Sequence, residues 1–218
     1  MLATDSWKPQ VAEYFYAEPP PLKGEALEFH LTYKGRLPAA GTGNSRAGEK
    51  HAIRKQLHGQ LRELWHRHPL LRASWIDAVT EGRPNVELLA DRFSRCGHRF
   101  APLIREEHGL GCELEILFLR RDDPGGLVRG GGDLDNRLKV LFDGLRMPDD
   151  CAGVTAPEES ESPFYCLLQD DALITKVKIS TDRLLSPMEE DERVNDVLLL
   201  IRVNTRVVSP EGMFRYDF

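Results

Sequence analysis

The sequence predicts an α/β (α+β) protein, a single mixed sheet with helices packed on it. Three observations carry that expectation. Short runs such as Ala172 to Ser180 alternate apolar and polar side chains, as a half-buried strand does. The stretch Ala47 to His68 repeats its apolar residues at helical spacing. Leu134, Leu138, Leu141 and Leu145 recur at steps of 4, 3 and 4, the pattern of a buried helix face. The resulting order is strand, helix, strand, helix, strand, strand, closing in an antiparallel hairpin.

Length and composition frame this reading. At 218 residues, 1–218 is expected to be a single domain, and 41% apolar content is enough for a real core. No apolar run approaches the 18 or more residues of a membrane span, so no membrane partner is expected. Residues 1–23 are polar and proline-rich without an apolar h-region, which speaks against a signal peptide. Cys96, Cys112, Cys151 and Cys166 form no CxxC pair. That argues against a zinc knuckle and for reduced thiols in a cytoplasmic protein.

In chain order, Ala26 to Tyr33 reads as a strand, followed by a glycine- and asparagine-containing loop from Gly35 to Ser45. Ala47 to His68 is an amphipathic helix with Ile53, Leu57, Leu61 and Leu64/Trp65 as its buried face, closed by Pro69. Its other face carries Lys50, Arg54, Lys55, Arg62, Arg67, His51, His58, His66 and His68. His66 and His68 are two apart and read as surface. Residues 75–100 form an expected helical insertion anchored by Val86, Leu88, Leu89 and Phe93. Cys112 to Arg120 is a strand, and Asp122 to Gly132 a mobile approach to the next helix. Residues 147–163 are polar and acidic without periodicity, a flexible insertion. Ala172 to Ser180 and Val197 to Val208 are strands, separated by an acidic turn at Ser186 to Asn195.

The richest stretch runs from Gly130 through Asp133, Asp135 and Asn136 to Lys139. Asp133 alone suits a helix N-cap, where the free amides and the helix dipole favour a carboxylate. That account leaves a second carboxylate, a lysine and three glycines unexplained. An EF-hand fails because Arg137 and Leu138 stand where an oxygen ligand and a glycine belong. A P-loop fails because no Gly-Lys-Ser/Thr closes the glycines. Asp135 and Lys139 are i,i+4 neighbours set to one side of the leucine stripe, facing outward together.

Charge is segregated although the formal net charge is -6. Lys34 to Arg72 holds nine Lys/Arg against two Glu, whereas Asp143 to Asp196 holds fourteen Asp/Glu against five Lys/Arg. Such a pattern presents a basic face to a polyanion, or equally two solvated surfaces with no partner.

Asp133-Leu134-Asp135-Asn136-x-x-Lys139 after a strand and a loop, with Asp170-Asp171 opening a later strand, resembles the RusA-like Holliday-junction resolvases. The resemblance spans Glu28 to Val208 in element order. It implies a homodimer that needs Mg²⁺ or Mn²⁺ and cuts phosphodiester bonds in branched DNA. It implies metal-binding roles for Asp133, Asp135 and Asp171, with Asp170 beside them, and a catalytic role for Lys139. Lys50, Arg54, Lys55, Arg62 and Arg137 are then the expected contacts to nucleic acid. Asp149-Asp150, closer in sequence, competes with Asp170-Asp171, which is preferred because a strand follows it. The acidic composition and the two insertions depart from the family pattern.

The residue types suit this chemistry in their own right. Phosphodiester hydrolysis asks for a hard cation that polarises the phosphoryl oxygen and delivers hydroxide, and Mg²⁺ is held by one or two carboxylates plus waters. Carboxylates gathered without a cation repel one another, and a divalent ion removes that conflict. Lys139 either steadies charge in the transition state or is an ordinary ion pair with Asp135. The alternative function is a DNA-binding or scaffolding relative without catalysis. A nucleotide-sugar metal motif is a weaker third reading, opposed by the short chain and the basic helix.

Overall fold

The computed structural model describes residues 27–38, 46–69, 71–72, 85–121, 133–187 and 196–208. They build strands β1 (Glu28–Arg36), β2 (Ser94–Arg95), β3 (His98–Ile104), β4 (Leu110–Arg120), β5 (Phe164–Leu168), β6 (Ile174–Arg183) and β7 (Asp196–Val207). The described helices are α1 (Ala47–Arg67), α2 (Asn85–Arg92) and α3 (Asp133–Leu145).

The mixed α/β character holds, but the strands form two sheets rather than the single one expected. The larger has the order β1-β7-β4-β6, and the smaller β2-β3-β5. The expected C-terminal hairpin is also absent. β7 lies between β1 and β4 and runs antiparallel to both, while β6 pairs in parallel with β4. The physical reason is burial. Val197, Leu199, Ile201 and Val203 of β7 are at most 3% exposed, as a central strand's inner residues are. β6 keeps Lys176 and Lys178 exposed and sits at the edge, where charge discourages further pairing.

The inner face of the large sheet packs on α1 and α3. Leu31, Leu114, Ile116, Phe118 and Ile201 meet Ile53, Leu57, Leu61 and Trp65 of α1 and Val140, Leu141 and Leu145 of α3 in one cluster. The leucine stripe of α3 is thus inward as read, with Leu134 and Leu138 partly buried against the same core. Gly144 allows the two helices to touch, since a Cβ there would lie 2.6 Å from Ile53 Cγ2.

The small sheet explains two further departures and holds the ends of a third segment. Residues 98–104, placed in or just after a helical insertion, form β3 and run parallel to β5. Every residue of β5 is buried. A continuous apolar run of this length has no period with which to declare itself a strand. This sheet also covers the side of α1 expected to face outward, so His51, Arg54 and His58 are buried at 2%, 5% and 6% exposure. His58 is matched on both ring nitrogens, Nδ1 accepting from the Tyr165 amide at 2.9 Å and Nε2 meeting the Ser160 carbonyl at 3.1 Å. Residues 147–163, expected to be a flexible insertion, are anchored at both ends while 149–153 and 155–160 stay exposed. Met147 and Glu161 are buried, and Thr155 meets His51 Nε2 at 3.1 Å and His98 Nε2 at 2.9 Å.

The expectation of reduced thiols fails for one pair. Cys96 and Cys151 form a disulfide with a Cα separation of 5.1 Å, while Cys112 and Cys166 are free and buried. Fifty-five residues separate the bonded pair, so spacing gave no sign of it. The glycine approach at 122–132 and most of the acidic turn before β7 lie outside the described residues.

Candidate functional site

α3 opens at Asp133, directly after the glycine run, and its register follows from the leucine stripe. Burying Leu134, Leu138 and Leu141 turns Asp135 and Lys139 away from the core. The two are 71% and 63% exposed and form an ion pair at 3.3 Å, as their spacing predicts. The side chain of Asp133 lies outside what the structure describes.

Asp170 and Asp171 sit at the link from β5 to β6. The Asp170 carboxylate accepts from the Ala172 amide at 2.8 Å and so caps a single 3₁₀ turn, Asp171–Leu173. Asp171 points to Arg146, whose Nε is 3.7 Å away. Arg146 follows the C-terminal end of α3, and about 15 Å of helix rise separates Asp135 from Leu145. Two described carboxylates of the expected set therefore meet a cation, Asp135 with Lys139 and Asp171 with Arg146, while Asp170 accepts from a backbone amide. Among the described residues no group of three or more His, Cys, Asp or Glu could hold a metal ion, a statement that leaves out Asp133.

Arg146 is the residue that the sequence reading missed. It also binds Asp149 and reaches Asp143 at 2.9 Å, so three carboxylates surround one guanidinium. Those bonds hold the Arg146 proton more tightly than usual and push the Asp149 carboxyl below the ordinary carboxylate range. The spacing Asp143-x-x-Arg146-x-x-Asp149 carries the signal, a cation three residues from each of two anions. Asp149 is thereby occupied, and Asp150 accepts from the Ala152 amide at 2.9 Å.

The basic residues divide sharply. Arg54 is interior, its Nε donating to the Arg146 carbonyl at 2.7 Å, which corrects its expected place on an outward face. Lys50 pairs with Asp143 at 2.7 Å, and Lys55 with Glu158 at 2.6 Å and Glu161 at 2.9 Å. Arg137 donates to the Leu37 carbonyl at 2.6 Å. Arg62 is half-buried on α1. A cavity of about 260 Å³ opens on the outer face of the large sheet among Glu113, Glu115, Lys176, Lys178, Arg202 and Asn204, and contains none of the expected site residues.

The chain matches no protein-family model and no curated protein. No described helix is long and apolar enough to cross a membrane.

Proposed function

We propose that this chain is a divalent-metal-dependent endonuclease of branched DNA, related to the RusA-like resolvases. The observation that carries the reading is Asp135 beside Lys139, exposed on the first turns of a helix whose other side is locked into the core. An exposed i,i+4 ion pair adds only about 0.2–0.5 kcal/mol, so stability alone is a weak reason for it. The donor chemistry fits Mg²⁺ or Mn²⁺, because Asp135 offers hard, accessible oxygens at 71% exposure. Asp133 and Asp135 at the start of α3 would hold the ion together with waters, whereas Asp171 stands with Arg146 past the other end of that helix and Asp170 caps the turn there. When bound, the ion supplies Lewis-acid polarisation and a hydroxide nucleophile. Lys139 places a fixed positive charge where phosphoryl charge builds up. A homodimer would present two such sites to the two strands of a junction.

The test is Mg²⁺-dependent cleavage of a labelled four-way junction, with Asp135→Asn beside the wild type. Cleavage should fall by orders of magnitude while melting temperature and junction binding hold. Variant activity within about twofold of wild type would remove Asp135 from the site.

The second reading, a DNA-binding relative without catalysis, draws on Arg146. A guanidinium already satisfies Asp171, so that carboxylate has less need of a metal. Binding of the junction without cleavage at any Mg²⁺ or Mn²⁺ concentration would favour it.

A further inference from the structure

The disulfide fastens a short segment that touches two helices at once. Cys96 stands at the turn between β2 and β3 in the left-handed region, with φ 55°. Cys151 is exposed and begins a tight turn in which the Val154 amide donates to the Cys151 carbonyl at 3.2 Å. That turn rests on the start of α1. A Cβ on Gly153 would lie 2.5 Å from the Gly48 nitrogen and 2.6 Å from the Ala47 carbonyl carbon. Upstream, Arg95 donates to the Pro148 carbonyl at 2.9 Å, and Asp149 is bound by Arg146, which also meets Asp171.

The ends of this segment are well held, by buried Met147 and by Thr155 between His51 and His98. Between them, Asp149 to Gly153 is exposed, and its polar contacts are of the kind that solvent weakens. Both bonded cysteines lie outside the two hydrophobic clusters, so the core does not depend on the bond.

We propose that Cys96–Cys151 is a thiol-operated clasp. Oxidised, it holds residues 148–154 on the start of α1 and beside the Arg146 cluster. Reduced, it frees that segment while the fold persists. The step needs two reductant thiols, both in one dithiol or one from each of two glutathione molecules. The first, as a thiolate, attacks the exposed Cys151 sulfur, the S–S bond breaks, and Cys96 leaves as a thiolate that takes up a proton. The second thiol then displaces Cys151, so two electrons pass to the protein and the two reductant thiols become a disulfide. This inference does not rest on the nuclease reading, since its readouts are thiols and hydrogen exchange rather than cleavage.

The experiment uses the full chain purified without reductant. Alkylation after denaturation should count two free thiols, Cys112 and Cys166, and four after dithiothreitol or millimolar glutathione. On reduction, hydrogen exchange across 149–154 should rise about tenfold or more while β4 stays protected. Oxidised glutathione should restore the slow exchange, and Cys151→Ser should exchange fast under both conditions. Four free thiols, or one bound zinc per chain, before any reductant is added would overturn the clasp. So would unchanged exchange after reduction, global unfolding on reduction, or a bond that withstands glutathione.

Discussion

Arg54 closes the C-terminal end of α3 by donating its Nε to the Arg146 carbonyl at 2.7 Å, from a side chain only 5% exposed. Helix ends leave carbonyls without intrahelical partners, and here a buried guanidinium from a neighbouring helix supplies them. Its Nη2 also reaches the Asp143 carbonyl. Burial lowers the Arg54 pKa to about 10, which still leaves it charged at neutral pH. Arg54→Met should therefore cost about 3 kcal/mol, because the carbonyls lose a charged donor in a dry site. Arg54→Lys should recover less than half of this, since an ammonium lacks the planar fork that serves both carbonyls. Urea unfolding measures both, and a wild-type midpoint for Arg54→Met would show that the carbonyls find other partners.

Acid should destabilise the protein through His51. Burial first, then the nearby Arg54 and His98 charges, lower its pKa from 6.5 to about 4. Between those values the unfolded chain binds the proton and the folded one does not. Stability from this group is complete above about pH 6.5 and lost as pH falls toward 4. The loss approaches ~3 kcal/mol for His51, and buried His58, lowered by the same cause, acts in the same direction. Melting temperatures from pH 7.5 to 4 test this. His51→Gln, which hydrogen-bonds without titrating, should flatten the curve.

Gly144→Ala should destabilise despite alanine's better helix propensity. Alanine gains about 1 kcal/mol in an unhindered helix interior. Here the new methyl would sit 2.6 Å from Ile53 Cγ2 and 2.8 Å from its Cβ, both close to the α1 backbone. Overpacking of this kind costs about 1–3 kcal/mol, so the net change should be unfavourable. A double change with Ile53→Val should recover part of it by relieving one contact.

Lys139 separates stability from chemistry. Its ion pair with Asp135 is largely exposed, so Lys139→Gln should shift unfolding by less than about 0.5 kcal/mol. If the proposed site is real, junction cleavage should drop much further than that, with Mg²⁺ affinity preserved. Equal, small losses in both measurements would leave Lys139 a surface ion pair.

Removing the disulfide should lower thermal stability. Closing a loop of 55 residues restricts the unfolded chain by up to about 4 kcal/mol at 25 °C on the chain-entropy model. Cys96→Ser and Cys151→Ser should lose similar amounts, and the double variant no more than either. Calorimetry of all three, with and without reductant, decides it.

The sequence by itself determined the elements whose periodicity is regular. α1, α3, β4 and β7 stand within a few residues of their expected bounds, and the outward pair Asp135–Lys139 followed from the leucine stripe alone. Local spacing suffices there, because a helix or a half-buried strand repeats its own environment. What only the tertiary structure decided is everything that joins distant segments. The second sheet arose from apolar runs with no period, and by covering α1 it turned Arg54, His51 and His58 from expected surface into interior. The insertion of β7 between β1 and β4, the Cys96–Cys151 bond and the meeting of Arg146 with Asp171 each join residues far apart in sequence. Such pairings depend on which faces remain to be buried once the local elements exist, and no periodicity within a single segment encodes that.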